Sequence, residues 1–95
     1  MSLSINTQKS IKFGEESFTP SVNAEQALRL QNAKLTNAEE IETAKKLIAE
    51  CFGENKIKVA QYLEQVDFYQ LALIQAYLVG GDEMVATIKN KMGGV

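Results

Sequence analysis

Hydrophobic and polar positions change their spacing along this chain, and the changes mark out its elements. From Leu3 to about Pro20 the apolar residues come in short period-two pairs among Thr, Ser and Lys: Leu3 with Ile5, Ile11 with Phe13, then Phe18 with Val22 beyond Pro20. That is the spacing of half-buried strands, in which alternate side chains share a face. Gly14-Glu15-Glu16 predicts the turn of a small hairpin, and Asn6-Thr7-Gln8 a looser turn before it. A two-stranded ribbon is marginal in water, so Ile11, Phe13 and Phe18 are expected to rest on helices. Pro20 closes the region and holds Thr19 extended.

Helical spacing takes over from Asn23 and continues to Met92. Asn23-Ala-Glu-Gln26 is a capping box opening a helix to about Ala33, with Ala24, Ala27, Leu28 and Leu35 expected inward. Thr36-Asn-Ala-Glu39 is a second box. Behind it Ile41, Ala44, Ile48, Cys51 and Phe52 form a narrow stripe with Leu47 at its edge, which predicts a helix over 37–52. Glu42 and Lys46 are placed to pair at i,i+4 on its outer face. Gly53 is the expected stop, because glycine takes the left-handed conformation without steric cost. From Asn55 a further helix of about three turns carries Val59, Tyr62, Leu63 and Val66 on one face.

The stretch Phe68 to Gly81 holds no charge and has apolar side chains on every side. At about 100° per residue, Phe68, Ala72 and Val79 fall on one side, Leu73 and Tyr77 on another, and Leu71, Ile74 and Leu78 on a third. The pattern predicts a central helix buried all round, with Leu71, Ile74 and Leu78 in the core. It is shorter than the ~20 apolar residues that span a bilayer. Asp67 is placed as its N-cap with Gln70 three residues on, although the sequence leaves open a single helix bent at Asp67. Gly80-Gly81 should end it. Asp82 then opens a last helix with Met84, Val85, Ile88 and Met92 on one face, and 93–95 should fray. The expected fold is therefore mainly α (α+β): a small bundle of four to five helices with a short N-terminal β-hairpin. It is read as one domain over 1–95, strand-like over 3–20 and helical over 23–92.

Composition narrows the function more by exclusion than by indication. Ten basic against twelve acidic residues leave a net charge of −2, so no broad positive field draws the chain to nucleic acid or to an anionic membrane. Lys45-Lys46 and Lys56-x-Lys58 are too sparse, and too poor in interleaved aromatics, for a strand-binding groove. One cysteine and no recognisable secretion signal lead to an expected cytoplasmic location. There is no histidine, which removes the commonest general base and metal ligand. Cys51 lies on an apolar stripe without a basic partner and reads as core. Glu39-Glu40 and Asp82-Glu83 sit in first turns, where negative charge suits the helix dipole, and Glu15-Glu16 lies in the hairpin turn. No P-loop, nucleophile elbow or dinucleotide-binding glycine motif appears. No catalytic, cofactor-binding or metal residue is therefore assigned, and no enzyme or cofactor is expected. Tyr62, Tyr69 and Tyr77 read as core or edge aromatics, with Tyr69 or Tyr77 as alternatives for a partner surface.

A central helix apolar in all directions needs more cover than 95 residues readily supply. Either the hairpin shields its far side, or another copy or a partner protein does, and the sequence leaves both open. Met84, Ile88 and Met92 are the candidate contacts for weak self-association.

The order of elements resembles the small tail assembly chaperones of long-tailed (siphovirus-type) bacteriophages and prophages. The resemblance lies in the strand-like segment Ser10-Ile-Lys-Phe-Gly-Glu-Glu-Ser-Phe-Thr-Pro-Ser-Val22, the charged helix after it, and the run Val59-Ala-Gln-Tyr-Leu-Glu-Gln-Val-Asp-Phe-Tyr-Gln-Leu-Ala-Leu-Ile-Gln-Ala-Tyr-Leu-Val-Gly-Gly81. It implies a non-enzymatic helical protein of the host cytoplasm that binds and solubilises the tape measure protein and helps recruit tail tube subunits. It carries no residue motif, so no functional residue is transferred. The alternative is a small phage or bacterial protein-interaction module, either a regulator or a minor structural subunit.

Overall fold

The computed structural model describes residues 10–92; the expected pair Leu3 and Ile5, the turn at Asn6-Thr7-Gln8 and the frayed tail at 93–95 lie outside them. Two strands come first, β1 (Ile11–Phe13) and β2 (Glu16–Phe18), followed by helices α1 (Ala24–Asn32), α2 (Ala38–Glu50), α3 (Lys56–Leu63) and α4 (Phe68–Met92). A single 3₁₀ turn, Gly53–Asn55, joins α2 to α3. The chain is mainly helical with a short antiparallel hairpin, as the sequence pattern predicts.

The hairpin pairs Ile11 with Phe18, Lys12 with Ser17 and Phe13 with Glu16, so its loop is the two residues Gly14 and Glu15. Glu16, expected in the turn, belongs to β2. Gly14 has a φ of 62°, the positive value that the first central position of a tight hairpin turn takes. Phe13 and Phe18 are buried on one face, against Phe52 and Tyr62.

Local hydrogen bonds start three helices, two of them at the caps that the sequence predicts. Asn23 Oδ1 accepts from the Gln26 amide at 2.8 Å, and the Asn23 amide donates to Gln26 Oε1 at 3.1 Å. The same reciprocal pair opens α4: the Gln70 amide donates to Asp67 Oδ1 at 2.7 Å and the Asp67 amide to Gln70 Oε1 at 3.2 Å. Each box satisfies amides that a first helical turn leaves without partners. Because Asp67 caps, α3 and α4 are separate helices and not one bent rod. At α2 the cap is Asn37, one residue beyond the expected Thr36. Asn37 is the residue with extended backbone, and its Oδ1 accepts from the Glu40 amide at 2.9 Å. Thr36 instead donates its hydroxyl to the Glu40 carboxylate.

Leu30, Ile48, Val59 and Leu63 have no exposed surface, and Cys51, Phe52, Leu71 and Leu78 are nearly as enclosed. The stripe on α2 is thus core, with Ile41 and Leu47 half-buried at its edge. Three expectations need correction. In α1 the inward residue is Leu30, whereas Leu28 is 58% exposed and Ala24 is also exposed. Leu28 and Leu30 stand about 200° apart on a helix, so burying one turns the other to solvent. Glu42 pairs with Lys45 at 3.4 Å rather than with Lys46, because Lys45 lies between α2 and α3 and also meets Glu64 at 3.6 Å. Finally, α4 is not buried all round. Leu71, Ala76 and Leu78 are enclosed, Leu73, Ile74 and Tyr77 are half-buried, and Phe68 is 50% exposed. The reason is geometric: α1 and α2 pack on α4, while the hairpin rests on the end of α2 and on α3.

Helix α4 changes direction at Gly81, whose backbone (φ 70°, ψ −155°) is not helical. Gly80 is constrained too, since a Cβ there would lie 2.8 Å from Met84 Cβ. Counted as one rod, Phe68–Lys91 is long and apolar enough to cross a membrane. The break divides it into limbs of 68–80 and 82–92, and each, at ~1.5 Å per residue, is far shorter than a hydrocarbon core of ~30 Å. The expected stop at Gly80-Gly81 and restart at Asp82 are therefore present in the backbone.

Truncation separates the enclosed leucine of α4 from the exposed leucine of α1. Leu71→Ala should lower the unfolding free energy by about 2–5 kcal/mol, while Leu28→Ala should change it by less than about 0.5 kcal/mol. Urea denaturation of the two variants beside the parent checks this, and equal losses would mean that α1 docks by its other face.

Candidate interaction surface

Among the described residues no group of three or more His, Cys, Asp or Glu side chains could hold a metal ion. Cys51 is 1% exposed, and its Sγ contacts the Leu47 carbonyl oxygen at 3.4 Å. Burial, with Glu50 adding a smaller effect, pushes the thiol up to about 11, so it stays protonated and unreactive near neutrality. Glu39 and Glu40 lie in the first turn of α2, where Glu40 is engaged by Asn37 and Thr36. Lys45 is tied to Glu42 and Glu64, and Lys58 to Glu16. The considered carboxylates and lysines are therefore spread over separate elements.

The concave feature beside α4 is a furrow between its first limb and the hairpin. One part, about 380 Å³, is lined chiefly by Ile11, Phe13, Tyr62, Val66, Leu73 and Ile74. A second part, about 320 Å³, continues past Tyr77 to Val85 on the second limb, and Ile11, Leu73 and Ile74 border both. Lys12, Gln65 and Gln70 stand at the rim of the first part and Asp82 at the second. Aliphatic and aromatic walls with a polar rim match the anatomy of protein-binding surfaces. Tyr77, one of the two tyrosines considered for such a surface, lines it. Tyr69 is half-buried and lines neither part.

Two sets of contacts, neither foreseen from the sequence, fix the walls. In the first, Glu16 holds the hairpin to α3. Its Oε1 accepts from the Tyr62 hydroxyl at 2.5 Å, and its Oε2 lies 2.8 Å from Lys58 Nζ. Phe13 stacks on Tyr62 with ring centres 5.6 Å apart, and Phe52 meets both Phe13 and Phe18 edge-on. The Ser21 amide, donating to the Cys51 carbonyl at 2.8 Å, anchors the strand exit. In the second set, Gln75 Nε2 donates to the carbonyls of Leu30 at 2.6 Å and Ala33 at 3.1 Å, which ties the end of α1 to α4. Both oxygens belong to the end of α1, where carbonyls lack i+4 partners, and that of Leu30 also accepts from the Ala33 amide at 3.2 Å. The signal for Glu16 was a carboxylate at the start of the second strand; the signal for Gln75 was a polar residue inside an otherwise apolar run.

Comparison with protein-family models finds no match for this chain, and comparisons with curated proteins and with solved structures find none either.

The Glu16 clip has a defined pH window. The bonds from Lys58 and then Tyr62 hold its carboxyl below the ordinary 4.5, so its contribution is full above that value and is lost as pH falls through the lowered one. The Tyr62 hydroxyl is raised above 10.0, chiefly by its bond to Glu16, so its share is full below 10.0 and is lost as pH rises through the raised value. Glu16→Gln should therefore lower the urea midpoint near pH 7, with the gap to the parent closing below about pH 4 and again above about pH 10. A gap that is the same at pH 3 and pH 7 would show that the clip contributes nothing as an ion pair.

Proposed function

We propose that this chain is a non-enzymatic binding module that receives an amphipathic helix in the furrow between β1 and α4, and that it serves as a tail assembly chaperone of a long-tailed phage. The observation that carries the proposal is the furrow itself. Leu73 and Ile74 lie half-buried along one side of α4 with no covering helix among the described residues. Binding would follow the helix-in-groove mode, in which apolar side chains at i, i+3, i+4 and i+7 fill a hydrophobic channel. The lining of the first limb, from Gln70 to Tyr77, spans about two helical turns, so each copy would cover a short length of its target. Burial at roughly 25 cal/mol per Å² drives the contact, and many copies along one long target would compensate for weak single contacts.

In this reading the target is the tape measure protein, whose long hydrophobic helices need cover before the tail tube forms around them. Recruitment of tail tube subunits by the bound chaperone follows from the same reading, with host cytoplasm as the place of action. The element order from Ser10 to Gly81 supports the assignment to this class.

Co-expression with the tape measure protein of the same genome tests it. The parent chain should carry that protein into the soluble fraction, and Leu73→Glu, a change on the furrow wall away from the enclosed core, should abolish the effect while leaving the chain folded. A tape measure protein equally insoluble with and without the chain would remove the chaperone reading. Solubilisation unaffected by Leu73→Glu would move the binding surface elsewhere.

A further inference from the structure

The second limb of α4 is unlike the other α-helices among the described residues: none of residues 82–91 is buried. Its most apolar side chains, Met84, Val85 and Ile88, are at best half-covered, and Met84 is 38% exposed. A free helix of about this length is marginal in water, because one hydrogen bond per residue barely offsets the cost of nucleation. The limb leaves the body at the non-helical Gly81, and Val85 is the side chain it turns toward the furrow. Met84 and Ile88 lie four residues apart on a common stripe beside it.

The charges on this limb are sorted by position. Asp82 and Glu83 occupy its first turn, Lys89 and Lys91 its last, and no charged residue lies between. None of the four has an ion-pair partner among the described residues. A helix with an acidic start, a basic end and an apolar stripe is complementary to itself only when the second copy runs the opposite way. Antiparallel pairing sets each acidic end against a basic end, twice over, and opposes the two helix dipoles; parallel pairing sets like charges together.

We infer that the second limb of α4 is a self-association arm, pairing antiparallel with the same limb of a second copy through Met84 and Ile88. The dyad passes near Ala86, the midpoint of those two residues, so Met84 of each copy meets Ile88 of the other, as an isologous contact requires. Two limbs of 11 residues bury far less than the ~800 Å² per partner typical of a stable dimer, so association is weak and appears only at high concentration. The face is separate from the Leu73 wall of the furrow, and the inference stands whether or not the furrow binds a tape measure protein.

Sedimentation equilibrium of the 95-residue chain, from micromolar to millimolar, gives the test. The parent should shift from monomer toward dimer, and raised salt should weaken the shift. Two charge-reversed chains, Asp82→Lys with Glu83→Lys and Lys89→Glu with Lys91→Glu, should each lose at least tenfold in association. An equimolar mixture of the two should regain it, since each reversed end again faces its opposite. Ile88→Asp, which leaves both helix ends unchanged, should remove association in any mixture, with far-UV circular dichroism confirming that α1 to α4 persist. A strict monomer at millimolar concentration would overturn the inference and leave the stripe to a different protein. So would a dimer unaffected by Ile88→Asp, or two folded charge-reversed chains whose mixture associates no better than either alone.

Discussion

Burial of Phe13 and Phe18 against Phe52 and Tyr62 decides where the hairpin sits, and the hairpin's position decides what α4 leaves uncovered. Each aromatic pair contributes about 0.5–1.5 kcal/mol beyond its area, enough for a few such pairs to place a ribbon that is not stable alone. The cluster forms over the end of α2 and the face of α3. A hairpin held there can border α4 with Ile11 but cannot cover it, and the space between the two is the furrow. Glu16 reinforces this by joining the second strand to Tyr62 and Lys58, so ring packing and the polar clip select the same placement.

Helix α1 is held by complementary means. Leu30 supplies the apolar contact, and Gln75 supplies the polar one by capping the carbonyls at the helix end. The two act together: Leu30 draws the end of α1 against α4, and Gln75 gives a partner to the Ala33 oxygen and a second donor to that of Leu30. A glutamine in the middle of an apolar helix is thus part of the packing, and it explains how the first limb of α4 takes α1 on one side while its Leu73 side stays open.

The parts of this architecture that were legible in the sequence are those set by neighbours a few residues apart. The capping boxes Asn23/Gln26 and Asp67/Gln70, the glycine of the hairpin turn, the stripe from Ile41 to Phe52 and the break at Gly81 all depend on local spacing. What the sequence could not settle is set by distant partners. Leu28 and Leu30 are equally apolar, and only the docking of α1 on α4 and α2 chooses between them. Lys45 and Lys46 are both within reach of Glu42, and only the position of Glu64, just past the end of α3, selects Lys45. Thr36 and Asn37 are both competent caps, and the extended backbone at Asn37 decides. The uniform apolarity of 68–79 was misleading for a related reason: it reports that every face avoids charge, and says nothing about how many faces the chain can cover.

That distinction bears on function. A core helix needs apolar side chains only where the chain covers it, so a charge-free face left half-buried, as at Leu73, is not required by the fold. A lysine or glutamate at Leu73 would cost the monomer little and would improve its solubility. Retaining leucine there is intelligible if something apolar docks on it. The same reasoning applies to Met84 on the second limb, where the sorted charges would specify the orientation of a second copy. The two half-covered faces lie on opposite sides of the break at Gly81: the first limb is packed by α1 and α2, while none of residues 82–91 on the second is buried.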